Sequence, residues 1–192
     1  MTEEKAQIAE LPDKVLEPIL SKFAHCRGIQ LTTDDLHTLR AEGKRCLLVN
    51  TLRTKEISGA LSSYLDSFPV ENRTHNKTFQ KRSIWHQPDN GVRPHAFFSC
   101  MQANGPVLVL NTAEATCTNT VYQVNFINDL SLPRQKAIAV SLQSTFSQFS
   151  AEVEGRSYGS GALKMEPSEA KKIALLLPDS LSAMSAAEAS FT

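Results

Sequence analysis

Three observations predict a single α+β domain in this 192-residue chain. Apolar positions recur at helical spacing in some stretches and alternate in others. The two patterns follow no repeating strand–helix–strand rhythm, which argues against a doubly wound sheet. Apolar residues make up 41% of the chain, enough for one core. The expected organisation is a flexible, charged N-terminus over 1–10, a folded unit over 11–178 and a flexible Ser/Ala-rich tail over 179–192.

The elements follow in order. Leu11, Val15, Leu16, Ile19, Leu20 and Phe23 recur at helical spacing, with Pro18 breaking or kinking the helix. Ile29 to Leu31 suits a short strand. Thr32 to Asp35 offers helix N-caps for a segment ending near Gly43. Cys46 to Val49 reads as a buried strand. Lys55 to Phe68 carries Ile57, Ala60, Leu61, Tyr64, Leu65 and Phe68, an amphipathic helix stopped by Pro69. Pro88 to Gly91 is a turn by composition. Strands are expected over Ala96–Met101, Val107–Asn111 and Val121–Phe126. One helix is expected over Pro133–Glu154, with Ile138, Leu142, Phe146, Phe149 and Val153 as its apolar stripe and Gly155 as its stop. Pro167-Ser168-Glu169 opens a last short helix.

Charge and composition exclude several classes. Twenty basic and twenty acidic residues cancel, so the chain is neither a polycation nor an acidic tail. No apolar run approaches the ~20 residues that span a bilayer. The acidic, polar start has no signal-peptide pattern, so the expected location is the cytoplasm. Cys26, Cys46, Cys100 and Cys117 form no C-x-x-C pair, and His86, His95 and Cys100 match no zinc spacing. The five histidines have no obvious Ser or Cys companion, and Gly159-Ser160-Gly161 lacks the context of a phosphate loop. Neither a catalytic residue nor a metal ligand is assigned.

Residues 72–95 differ in texture. Arg73, Lys77, Lys81, Arg82 and Arg93 meet only Asp89 as a counter-charge, with Phe79 and Trp85 interleaved. Regularly placed cations suit nucleic-acid phosphates and flat rings suit bases. A solvated basic strand with Trp85 as a core anchor is the structural alternative. In an extended segment Arg82 and Trp85 would fall on opposite faces.

Asn76 to Pro88 (NKTFQKRSIWHQP) resembles the K-x-x-x-R-x-x-W-Y-x-x-P segment of bacterial adenine-N6 DNA methyltransferases of restriction–modification systems. Gly155 to Glu169 (GRSYGSGALKMEPSE) is similar to their C-terminal R-x-Y-G-G-G-x-L-K-L-E-P-x-E signature. The stretches from Leu11 to Leu20 and from Leu31 to Leu48 resemble the opening of the same region, so the likeness runs from about residue 10 to residue 178. His86 and Ser160 depart from the family pattern, standing where it has an aromatic residue and a glycine.

The resemblance implies a target-recognition domain, the DNA-facing half of enzymes that flip an adenine out of the duplex. The catalytic half binds S-adenosylmethionine and carries an Asn/Asp-Pro-Pro-Tyr/Phe motif, which this sequence lacks. The implied partners are double-stranded DNA and a catalytic methyltransferase subunit or domain, with no membrane, and no cofactor is expected on this chain. Lys77, Lys81 and Arg82 are the expected phosphate contacts, with Trp85 packing or stacking beside them. Asn111, Asn119 and Gln123 are candidates for base edges, because amides pair bidentately with adenine. Arg156 and Lys164 flank the small-residue loop of Tyr158, Gly159 and Gly161, which would approach the sugar–phosphate chain. The rival expectation is a protein-interaction or regulatory module, or a non-functional truncated fragment.

Overall fold

The computed structural model describes residues 1–57, 59–88, 92–99, 101, 102 and 105–177. In chain order the elements begin with α1 (Glu3–Ile8), β1 (Leu16–Leu20), β2 (Gln30–Leu31), α2 (Thr33–Ala41) and β3 (Leu47–Val49). Three helices follow, α3 (Gly59–Asp66), α4 (Val70–His75) and α5 (Lys77–Gln80). Then come β4 (Ala96–Ser99), β5 (Met101–Gln102), β6 (Leu108–Asn111), β7 (Thr116–Cys117) and β8 (Val121–Val124). The last elements are α6 (Leu132–Leu142), α7 (Thr145–Glu154), β9 (Arg156–Ser157), β10 (Leu163–Lys164) and α8 (Pro167–Ala170). The fold is α+β, and no described helix is long and apolar enough to cross a membrane.

A four-stranded sheet of order β2-β6-β4-β8 organises the molecule. All four residues of β4 are buried, so both faces of the sheet are covered. Phe97 and Val109 point to one side, into a cluster with Leu20, Leu31, Leu36 and Leu39. Ala96, Phe98, Leu108 and Leu110 point to the other, against Leu142, Ala151 and Met165 of the C-terminal segments. A third cluster joins Leu11, Val15, Leu61 and Leu65 beneath Trp85.

Local signals explain several elements. Thr32 caps α2 with a reciprocal box: its hydroxyl accepts from Asp35 N (3.2 Å), and its own N–H donates to the Asp35 carboxylate (2.8 Å). The helix stops before Gly43, which sits at φ +66°.

Three expectations are corrected. Residues 11–23 form no helix: Leu16–Leu20 is the strand β1, flanked by single 3-10 turns. Pro18 lies where β1 changes partners, pairing with β3 over Leu16–Pro18 and with β7 over Ile19–Leu20. The missing N–H at that handover makes a proline tolerable inside a paired strand. Residues 1–10, expected to be loose, carry α1, which buries Ala6, and the Met1 amino group donates to Leu47 O. The single helix expected over 133–154 is two, because the Ser144 side chain accepts from Ser147 N and caps a new helix. The predicted turn at Pro88–Gly91 and the tail from residue 179 extend outside the described residues, as does Cys100 in the predicted strand 96–101.

Candidate nucleic-acid interface

The basic–aromatic segment folds as α4, α5 and a following turn, not as an extended strand. Trp85 is its hub. The indole lies against Phe68 (ring centroids 5.8 Å), Phe79 (5.5 Å) and His86 (5.4 Å). The Arg73 guanidinium stacks 4.4 Å from the Trp85 ring and donates to Phe68 O (2.7 Å) and Leu65 O (2.8 Å). It therefore closes the C-terminal carbonyls of α3 as a charged cap. Arg82 donates to Trp85 O (3.3 Å) and lies 5.6 Å from the Phe79 ring. The two residues thus meet, where an extended chain would have separated them. Arg93 pairs with Glu114 (3.1 Å) and with Glu17 (3.5 Å), a buried carboxylate that Arg53 also holds. Lys77 and Lys81 stay exposed.

His86 has a structural partner. Its Nδ1 lies 2.9 Å from the Thr51 hydroxyl, tying the turn after α5 to the one after β3. Burial and the nearby Arg73 push its pKa below the ordinary histidine value.

A cleft of about 490 Å³ opens between the β1/β3/β7 sheet, α5 and β8. It brings together three predicted residues, Arg82, Asn119 and Gln123. Thr78 and Thr118 join them, and the sequence reading missed both. The polar run around Asn119 was the signal for Thr118, whereas Thr78 is marked only by its neighbour Lys77. Asn119 is exposed in the turn between β7 and β8, and Gln123 is half-buried on β8. Cys117 also lines the cleft; burial pushes its thiol up, and hydrogen bonding from Gln123 opposes that shift. An exposed lysine directly precedes each of Thr78 and Arg82. Such a site offers donors and acceptors in its depth and positive charge beside it.

Asn111 is engaged elsewhere. Its amide nitrogen donates to Pro94 O and Ala115 O, both at 2.8 Å, and its oxygen accepts from Ala115 N (2.9 Å). These bonds fix the turn after β6 and leave the amide no free donor for a base edge.

Arg156, Tyr158, Gly159, Gly161 and Lys164 form a separate cluster on the β9–β10 hairpin. Arg156 and Lys164 are direct cross-strand neighbours. Two like charges so placed repel unless countered, and each has its glutamate. Arg156 donates to Glu169 (2.6 Å), and Lys164 pairs with Glu166 (2.8 Å). The Tyr122 hydroxyl also donates to Glu166 (3.1 Å). The Glu166 N–H, and after it Arg156, holds the Glu169 carboxyl below its ordinary pKa; Lys164 and Tyr122 do the same for Glu166. Tyr158 is exposed, and Gly161 takes φ +76° to turn the loop. Because Tyr122 and Gln123 are adjacent on β8, the hairpin and the cleft lie on opposite faces of the central sheet.

The described residues gather no group of three or more His, Cys, Asp or Glu able to hold a metal. His95 stacks on Phe126 and accepts from its N–H (2.9 Å).

No curated protein matches the chain. The family model for the C-terminal domain of the type II methyltransferase M.Eco57I matches residues 1–191. That match spans nearly the whole sequence and includes both the cleft and the hairpin, so the chain belongs to this family of type II methyltransferase C-terminal domains.

Proposed function

We propose that the chain is the DNA target-recognition module of a site-specific adenine-N6 methyltransferase in a restriction–modification system, acting in the cytoplasm. The observation that carries this reading is the convergence of Arg82, Asn119 and Gln123 on one polar cleft with Lys77 and Lys81 exposed beside it. Lysines next to groove-lining residues can neutralise phosphates and set register. The amides of Asn119 and Gln123 match the paired donor and acceptor that adenine presents in the major groove. The hairpin is the weaker contact surface, because its two cations are already paired with carboxylates. Methyl transfer belongs to a catalytic subunit or domain that holds S-adenosylmethionine; the sequence lacks the Asn/Asp-Pro-Pro-Tyr/Phe motif of that half.

The test is fluorescence anisotropy of the chain on a mixed-sequence duplex across a salt series, with its catalytic partner added where available. Binding should fall steeply with salt, and Lys77→Ala with Lys81→Ala should flatten the log–log slope by about 2. Asn119→Ala or Gln123→Ala should leave the slope alone and reduce discrimination between duplex sequences by about 1–3 kcal/mol. Salt-insensitive binding, or lysine variants that bind every duplex as the parent does, would overturn the reading in favour of a protein-interaction module.

A further inference from the structure

Arg82 stands apart from the other cations of its segment. It is the only charged side chain among the described residues lining the cleft, so no carboxylate there answers it. Its guanidinium is held on two sides. Nη1 donates to Trp85 O (3.3 Å), and the group lies 5.6 Å from the centroid of the Phe79 ring. The remaining donors are open. Nε is buried and has no hydrogen-bond partner among the described residues. No described group accepts from Nη2 either. A buried donor left without an acceptor is costly, so such a group marks a place where an acceptor arrives from outside.

On the recognition reading, on which this inference rests, that acceptor belongs to DNA, either as a phosphate or as a base edge. Two observations favour the base. Arg82 shares its cleft with the amides of Asn119 and Gln123, whereas Lys77 and Lys81 stay exposed beside it. A side chain grouped with base-reading amides meets the groove, and the exposed lysines meet the backbone. The second observation is heading. A phosphate is well served by a mobile ammonium acting as a point charge. A fork tied to a carbonyl and lying against a ring presents its donors in one direction, as two neighbouring acceptors require. Guanine shows such a pair, N7 and O6, in the major groove; adenine has a donor in place of the second, and the pyrimidines have no such pair. The geometry points to Arg82 as the reader of a guanine in the sequence that this module recognises.

Selection from a pool of random-sequence duplexes, with the catalytic partner added where available, tests the inference. The parent should enrich a motif that contains guanine. Arg82→Ala should lose the preference for one guanine, by about tenfold or more, and leave the salt slope as it is. Arg82→Lys keeps the charge but not the fork, and should lose most of the same preference. Replacing that guanine with 7-deazaguanine removes the N7 acceptor. The change should weaken binding of the parent and leave Arg82→Ala indifferent. Circular dichroism checks the fold of each variant, and if Arg82→Ala fails to fold, Arg82→Lys and the 7-deazaguanine duplex decide. A slope lowered by about 1, with every duplex weakened alike, would assign Arg82 to a phosphate and overturn the proposal. A motif unchanged in both variants would overturn it too. In either case a parent that still enriches one motif keeps the recognition reading standing; a parent that enriches none overturns that reading itself.

Discussion

Arg73 shows how one side chain can serve both charge and packing. Its guanidinium closes two carbonyls at the end of α3 and covers the face of Trp85. Replacing it with alanine removes two charge-assisted hydrogen bonds and a cation–π contact. Arg73→Ala should cost about 2–4 kcal/mol in urea unfolding, and Arg73→Lys should recover only part of it, since an ammonium lacks the planar fork. The sequence announced the basic–aromatic character of this segment but not the fate of each cation. Arg73, Arg82 and Arg93 are set apart from the exposed Lys77 and Lys81 by what lies nearby after folding: a ring, a helix end, a buried Glu17. Those neighbours are up to 76 residues away. Asn111 and Asn119 illustrate the same limit, one locked by backbone and the other exposed in a cleft.

At the scale of elements, legibility followed the range of the interactions. The capping box at Thr32 and Asp35 is local, and the reading found its residues. Strand β1 depends on partners at 47–49 and 116–117, so its apolar spacing alone imitated a helix. The stripe from Ile138 to Val153 mistook the outer face of α7 for its inner one, because small residues at the core leave no apolar signal. Gly155 is the inner counterpart. Its φ is −80°, so conformational freedom is not what it supplies. A Cβ there would lie 2.8 Å from Leu163 Cδ1, 2.9 Å from Ala151 O and 3.0 Å from Met165 Sδ. Gly155→Ala should therefore destabilise by about 1–3 kcal/mol, since the backbone oxygen cannot move aside cheaply; thermal unfolding would show it.

The hairpin carries a pH signature. Glu169 has its carboxyl held low by the Glu166 N–H and by Arg156, so the folded state binds the proton less readily than the unfolded chain. The stabilisation is present above the ordinary glutamate value of 4.5 and is lost as pH falls through the lower folded value. Acidification below that point should lower the unfolding midpoint, and Glu169→Gln should flatten this part of the profile. An unchanged slope in the variant would show that other carboxylates set the acid limit.

For the whole molecule, net neutrality conceals an uneven distribution. The segment around α5 keeps two free-standing lysines, whereas the hairpin and Arg93 meet carboxylates. The neutral total therefore does not foretell weak salt dependence: Lys77 and Lys81 form a local excess, and on the proposed reading they contribute about 2 to the salt slope.

The central sheet has a consequence for variation. It stands between the cleft and α7 as a filled layer two clusters deep, and Asn119 and Phe149 share no neighbouring cluster. Substitutions at the two places should add without interaction. The two surfaces are accordingly free to vary independently, since a change on one side of the layer does not disturb the packing on the other.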